Sequence, residues 1–477
     1  MESPQFENTF QTLPNFLFES VTPTPLSQPR LIHVTDLKTE LGLSALDDDE
    51  LMQWLNGERM LTGEQRIATR YAGHQFGVWA GQLGDGRAIS LGELITPKHG
   101  RQEIQTKGSG ETPFSRRGDG RAVVRSSVRE YLCSEAMHGL GVPTTRVLAL
   151  LTGSDQVQRE TIESSALIAR VFPTNLRFGH FELCYHFQKK AELKALIDYA
   201  KSLFFPKGDL ETMLREIVKR TALLMAHWQN VGFCHGVMNT DNMSLLGVTI
   251  DYGPFGFLED TILDHICNHT DHEGRYAFDQ QHNIGAWNLE RLLVCFKDFV
   301  PVEKLREILD SYPYIFRDEY LAMSRKKLGF TTAEEEDQEL FLDLLRVLHD
   351  ERIDFTYFFR SLSSYQIAKP DSLSALFDIY GNLERLRSWL LRYDQRLLNE
   401  NSDDLKRSFS MKAVNPKFIL RNYIAQEVIE SVEKGESERL SAWLQVLYRP
   451  FDEHPEFEKY SQPTPKELKH FEVSCSS

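Results

Sequence analysis

One stretch narrows what this chain can become: His235 to Gly256, HGVMNTDNMSLLGVTIDYGPFG. A histidine opens it, the oxygen donors Asp241 and Asn242 follow, and a short apolar run leads to Asp251-Tyr252-Gly253. The run reads as a strand between two polar loops. Loops paired in this way can bring Asn242 and Asp251 onto one hard cation that bridges phosphate oxygens.

The spacing follows the catalytic and metal loops of protein kinases, which run His-x-Asp, four residues, Asn, then Asp-Phe-Gly after a short strand. His235, Asn242 and Asp251 fall at the right offsets, but Val237 stands where the catalytic Asp belongs. A conventional kinase is therefore opposed. Asp241, four residues after Val237 and beside Asn242, could instead take a proton from an incoming hydroxyl. A pseudokinase scaffold, binding nucleotide without catalysis, is the alternative that the motif leaves open.

Other kinase-like parts precede this stretch in the expected order. In GQLGDGR, Gly81, Gly84 and Gly86 could let backbone N–H groups approach phosphates; alone, such a segment is more often a hairpin turn. Two strand-like runs follow, RAISLGELI and RQEIQTK, separated by the turn TPKHG, and the second ends in Lys107. Lys107 needs a carboxylate partner. Glu130 is the natural candidate on the helix that SSVREYLCSEAMHGLGVP predicts, with Glu135 as competitor. Between them lie Arg116, Arg117, Arg121 and Arg125, flanked by Gly118 and Gly120, and guanidinium groups suit phosphate.

The rest of the chain fits an α+β fold of kinase-like, bilobal type. We expect residues 1–70 to form an N-terminal extension packed on the first lobe, with a helix in SALDDDELMQWLNGERM capped by Ser44 or the following aspartates. Residues 71–180 would form an antiparallel-sheet lobe, which takes in the strand candidates RVLALLTG and SALIARVF. Residues 181–300 would form a helical lobe with the catalytic and metal loops. Gly232 is a plausible helix stop just before the first of these. Residues 301–477 read as further helices ending in a cysteine-containing tail.

Composition excludes other classes. With 477 residues, 41% hydrophobic, the chain can bury a substantial core, and a net charge of −15 repels nucleic acid and anionic membranes. No run approaches the roughly 18 apolar residues of a membrane span, and MESPQFENTFQTLPNF lacks the features of a secretory signal. A cytoplasmic monomer is expected. The six cysteines are dispersed without a CxxC pair. His265, Cys267, His269 and His272 in DHICNHTDHEGRY do not match a common structural zinc spacing and read as incidental.

Three long segments carry a closer resemblance: GHQFGVWAGQLGDGR, EIQTKGSGETPFSRRGDGRAVVRSSVREYL and HGVMNTDNMSLLGVTIDYGPFGFL. Together with NPKFILRNY and the terminal SCSS they resemble the selenoprotein O family over nearly the whole chain. The resemblance implies a kinase-like fold that binds ATP in a flipped orientation and transfers AMP to Ser, Thr or Tyr hydroxyls of proteins, releasing pyrophosphate. It implies nucleotide contacts at Gly84, Gly86, Arg87, Lys107, Asp119, Gly120, Arg170, Arg177 and Asp251. Asp241 would be the proton acceptor, and Asn242 and Asp251 the Mg²⁺ ligands. Transfer of UMP from UTP with Mn²⁺ is also implied, as is a bacterial source. Eukaryotic members carry selenocysteine near the C-terminus where this chain has Cys475, and we expect Cys475 to pair with Cys267 in a redox-sensitive crosslink.

Overall fold

The structure, a computed structural model, describes residues 5–469. Among these the chain first builds an antiparallel sheet and then a long series of helices. The strands are β1 (Phe18–Ser20), β2 (Arg30–Val34), β3 (Ile67–Thr69), β4 (Ala72–Gln75), β5 (Val78–Gln82), β6 (Ala88–Thr96), β7 (Gly100–Lys107), β8 (Ala122–Val123), β9 (Arg146–Gln158) and β10 (Ile162–Phe172), and later a short pair, β11 (Phe233–Cys234) with β12 (Gly256–Phe257). The main sheet runs β1-β3-β6-β7-β10-β9-β2, with β8 added to β10, while β4 and β5 form a separate hairpin. The first seventy residues thus supply strands at both edges of the sheet.

The predicted strand runs emerge as β6, β7, β9 and β10; all but β7 are rich in β-branched and apolar residues. In β10 alternate residues enter different cores. Leu167, Ala169 and Val171 pack with Trp54, Ile89 and Leu151, while Ala166 and Ile168 face the larger cluster that includes Val128 and Leu132. A strand buried on both faces reads as an uninterrupted apolar run, as SALIARVF does.

The helices that matter for the site are α1 (Leu37–Glu40), α2 (Asp48–Leu55), α3 (Val124–Gly139), α4 (Phe178–His186), α5 (Lys190–Phe204), α6 (Leu210–Val231) and α7 (Gln281–Val294). Asp47, not Ser44, caps α2, and Glu50 completes the capping box. Helix α6 stops at Gly232, whose left-handed φ of 71° ends the helix just before the catalytic-loop stretch. Helix Tyr312–Leu328 carries Pro313 in its first turn, where proline is tolerated. Among the described residues no helix is long and apolar enough to cross a membrane.

Candidate active site

Strand register builds a cationic wall. Across the β7–β10 ladder Lys107 faces Ile168 and Gln105 faces Arg170, so Lys107 and Arg170 share the face that α3 covers. Glu130 reaches between them from α3. Its Oε2 accepts from Lys107 Nζ and its Oε1 from Arg170 Nε, each at 2.5 Å. Glu135 is taken instead by Arg146 Nη2 at 2.6 Å and the Val147 N–H at 3.0 Å, so Glu130 is the glutamate that meets Lys107.

Burial raises the Glu130 carboxyl, but Arg170 and Lys107 outweigh it and hold the group below the usual carboxylate range. Lys107 is also lowered, to about 8, because burial and the repulsion of Arg170 and Arg87 exceed the support of Glu130. Both directions fit a dry pocket with surplus positive charge.

Asp251 stands opposite, at the start of the loop that follows Ile250, with an unusual left-handed φ of 57°. Its Oδ1 lies 2.9 Å from Arg170 Nη1, and Arg177 Nη1 donates to its Oδ2. Burial opposes ionisation here too, yet Arg177 and Arg170 keep the carboxyl far below its ordinary value. Arg177 precedes α4, and its Nη1 also donates to the Asp241 carbonyl at 2.9 Å. One guanidinium therefore ties the catalytic-loop backbone to the metal-loop carboxylate.

Asp241 lies in a single 3-10 turn, Thr240–Asn242. Its Oδ2 accepts from Gln75 Nε2 at 3.2 Å, while its Oδ1 is buried without a hydrogen-bond partner. Burial pushes this carboxyl up to about 7, against the pull of Arg177. Strand β4 can come this close only because of Gly73: a Cβ there would stand 2.8 Å from Asp241 Oδ1 and 2.9 Å from Thr240 Oγ1. Asn242 donates Nδ2 to the Val237 carbonyl at 3.0 Å, which directs its hydrogen-bond donors to the loop. Its carbonyl oxygen and the Asp251 carboxylate form a hard-oxygen pair that fits Mg²⁺ or Mn²⁺. His235 is structural, bonded through Nε2 to the Ile250 carbonyl at 2.9 Å and stacked on Trp228.

The glycine-rich turn is pinned from within. Buried Asp85 accepts from the Thr69 N–H at 2.8 Å and Thr69 Oγ1 at 2.6 Å, which fixes Gly84 and Gly86 on either side. Asp119 is gripped by Arg159 through two bonds of 2.8 and 2.9 Å. Gly120 has φ 67°, and a Cβ there would lie 2.0 Å from the Gly110 carbonyl carbon, so no other residue fits. Of the four arginines in this loop, Arg116 and Arg121 border the cavity. Arg125 is instead paired with Glu163 at 2.7 Å.

One cavity of about 680 Å³ collects these groups. Gly84, Gly86, Arg87, Lys107, Asp119, Gly120, Arg170, Arg177, Asp241, Asn242 and Asp251 all line it. Glu130 stands behind the wall as support. The size is that of a small-molecule site. The family described as protein adenylyltransferase SelO matches residues 1–448. The chain belongs to the SelO family.

Curated relatives cover both chains almost completely. Proteins named protein nucleotidyltransferase YdiU are 46% identical in Bordetella petrii, over 99% of this chain and 98% of theirs, and 44% identical in Pectobacterium atrosepticum, over the full length of both. A third, from Herminiimonas arsenicoxydans, is 46% identical over 98% of this chain and 96% of its own. The SelO-family chain is thus an enzyme of the nucleotidyltransferase class.

Sequence reading passed over Gln75, Arg159 and Asp85. Arg159 lies 40 residues from Asp119, at the β9–β10 turn, and no local pattern joins the two. Gln75 and Gly73 fall inside the quoted GHQFG run, where the glycines were the available signal. Cys267 is half-buried, its thiol 3.4 Å from the Cys234 carbonyl. Cys475 lies outside the described residues.

Proposed function

We propose that this chain transfers AMP from ATP to Ser, Thr or Tyr hydroxyls of protein substrates and releases pyrophosphate. The observation that carries this reading is the placing of Asp241: a buried carboxyl with one unpartnered oxygen, on the same cavity as Asn242, Asp251 and the Lys107–Arg170–Arg177 wall. The sheet-bearing and helical parts would then be the two lobes of a kinase-like architecture, with residues 1–70 as an extension of the first and 301–477 as helices added to the second.

In this mechanism Lys107, Arg170 and Arg177 grip the triphosphate, and Arg87, Asp119, Gly84, Gly86 and Gly120 complete the nucleotide site. Fixed cations in a low-dielectric pocket stabilise charge as it develops without needing to reorganise. A divalent cation on Asn242 and Asp251 would supply further positive charge at the phosphates. ATP lies flipped relative to kinases, so that the α-phosphorus faces Asp241. Asp241 accepts the hydroxyl proton, and a pKa near neutrality suits a general base. The acceptor oxygen bonds to the α-phosphorus as the bond to the β-phosphate bridging oxygen breaks, and the electron pair leaves with pyrophosphate.

A site that grips phosphates reads the base weakly, so we extend the proposal to UMP transfer from UTP with Mn²⁺. We further propose a disulfide between Cys267 and Cys475 that makes activity redox-sensitive. The last described residue, Lys469, is paired with Asp260 at 2.6 Å, which holds Lys469 beside the segment that leads to Cys267. The setting is a monomeric, cytoplasmic bacterial enzyme.

The test is incubation with Mg²⁺ and ATP labelled at either the α- or the γ-phosphate, beside an Asp251→Ala control. Label transferred only from α-labelled ATP, and lost in the control, supports AMP transfer. Transfer from γ-labelled ATP would make the chain a kinase despite Val237, and transfer from neither, with ATP still bound, would favour a nucleotide-binding scaffold.

A further inference from the structure

A second cluster of metal-capable side chains lies behind Asp241. His74 on β4 and Glu182 and His186 on α4 each bring one ligand atom within 4.8 Å of the others. Glu182 and His186 stand one helical turn apart, so they share a face of α4, and the β4–β5 hairpin lays His74 across it. The three differ in access: Glu182 is buried, His74 half-buried and His186 exposed, which gives the cluster a floor and an open mouth.

The carboxylate is what calls for a ligand. Glu182 has 0% exposure, its Oε2 bonds His74 Nδ1 at 2.5 Å, and its Oε1 is buried with no partner. A buried carboxylate oxygen without a donor is costly, and native structures rarely leave one so. No Lys or Arg forms an ion pair with Glu182 among the described residues; its ionisable partner there is His74. The surrounding aromatic rings are firmly placed. Trp79 lies 3.9 Å from the His186 ring centre, and the Trp287 ring meets His74 edge-on at 5.4 Å. These rings limit how far either imidazole can turn away.

We propose that His74, Glu182 and His186 bind a zinc-type transition-metal dication, at a site separate from the Asn242–Asp251 pair. Two imidazole nitrogens and one carboxylate oxygen make a three-ligand set of the kind Zn²⁺ accepts, with a further position open to water. Mg²⁺ favours all-oxygen ligands and would discriminate in the opposite direction, toward Asn242 and Asp251. Binding replaces the His74–Glu182 hydrogen bond with coordination and satisfies Glu182 Oε1.

The site would position the proposed base. His74 donates its backbone N–H to Thr240 Oγ1 at 2.7 Å, and the next residue, Gln75, holds Asp241 Oδ2. A cation that fixes β4 against α4 therefore also fixes the two contacts β4 makes with the Asp241 turn. This is a positioning role, and the metal itself touches no reacting atom.

The experiment uses the full chain, stripped with chelator and kept in excess Mg²⁺, titrated with Co²⁺ as a spectroscopic probe and then with Zn²⁺ in competition. We expect stoichiometric visible bands of low-coordinate Co²⁺ that Zn²⁺ abolishes. His186→Ala and the near-isosteric Glu182→Gln should each weaken Zn²⁺ binding at least about 10-fold, as even outer-shell changes do at such sites. Asp251→Ala should leave it unchanged. X-ray absorption on the zinc-loaded wild type should show two imidazoles in the metal shell, a readout that needs no variant. Absence of the bands, wild-type affinity in both ligand variants, or a shell without imidazole would overturn the proposal.

Discussion

Arg170 Nη1 lies 2.9 Å from Asp251 Oδ1. The same side chain donates Nε to Glu130 at 2.5 Å, so one guanidinium from the sheet balances a carboxylate on α3 and the carboxylate of the metal loop. Replacing it with leucine leaves the buried Glu130 and the half-buried Asp251 each short of a partner. We expect Arg170→Leu to lose about 3 kcal/mol or more of stability, the usual result of breaking a buried pair on one side. ATP affinity should fall about 10- to 100-fold with the loss of charge-assisted bonds. Arg170→Lys keeps the charge but not the fork and should fall between. Thermal melts and nucleotide titration read the two effects separately.

Asp241 should behave differently. Its carboxyl contacts Gln75 and faces the cavity, but the cationic grip on phosphates lies on other residues. Asp241→Asn keeps the shape and removes the proton acceptor. Transfer of AMP should drop at least about 100-fold while the ATP dissociation constant changes by less than about threefold. If affinity fell as far as turnover, Asp241 would be part of the binding site and not the base.

These two residues show how legibility divided. The pattern in His235–Gly256 located Asp241, Asn242 and Asp251 because they lie within a short span of chain, although the run between the loops, expected as a strand, makes only isolated bridges, Ser244 to Arg177 and Thr249 to Thr144. Lys107 and Arg170 were harder, since what joins them is ladder register between strands over sixty residues apart, and register is set by packing on both faces of β10. Periodicity could not separate Glu130 from Glu135. Both are buried on α3, and only the direction of approach of Arg146 shows which is taken. The ion pair of Asp119 with Arg159 and the His74–Glu182–His186 cluster had no local signal at all. Each joins segments that the fold brings together and the sequence keeps apart.

Glu103 makes stability depend on pH. It faces Glu93 across the β6–β7 ladder, and Arg101 pairs with Glu93 at 2.6 Å. Burial first, and the neighbouring Glu93 second, push Glu103 up to about 8 from 4.5. The folded state therefore binds a proton that the unfolded chain has released. Its stabilisation is complete below about pH 4.5 and is lost as pH rises through about 8. Glu103→Gln imitates the protonated form, retaining an acceptor for the Asn175 N–H and a group that can bond Ser90 Oγ. Between pH 6 and pH 9 wild type should lose at least about 1.5 kcal/mol more stability than the variant. Urea denaturation at the two pH values measures it, and parallel losses would show that Glu103 titrates normally.

The proposed crosslink is tested at Cys267. A Cβ on Gly236 would stand 2.7 Å from its sulfur, so Cys267 sits directly against the start of the catalytic loop. Burial and the neighbouring Cys234 raise its thiol pKa, which makes it a slow nucleophile. The first attacking thiolate should then be that of Cys475, which exchanges with a disulfide oxidant such as oxidised glutathione and releases one glutathione; Cys267 then attacks the Cys475 sulfur of the mixed disulfide and releases the second. Two thiols give up two electrons and two protons, and the oxidant leaves as two reduced thiols. Intact mass after such treatment should show a species lighter by two hydrogens that reductant reverses and Cys475→Ser abolishes. Cys267→Ser should stop at the mixed disulfide with glutathione, a gain in mass that separates the two steps. Persistence of the lighter species in Cys475→Ser would point to Cys234 as the partner, since its carbonyl already lies 3.4 Å from the Cys267 sulfur.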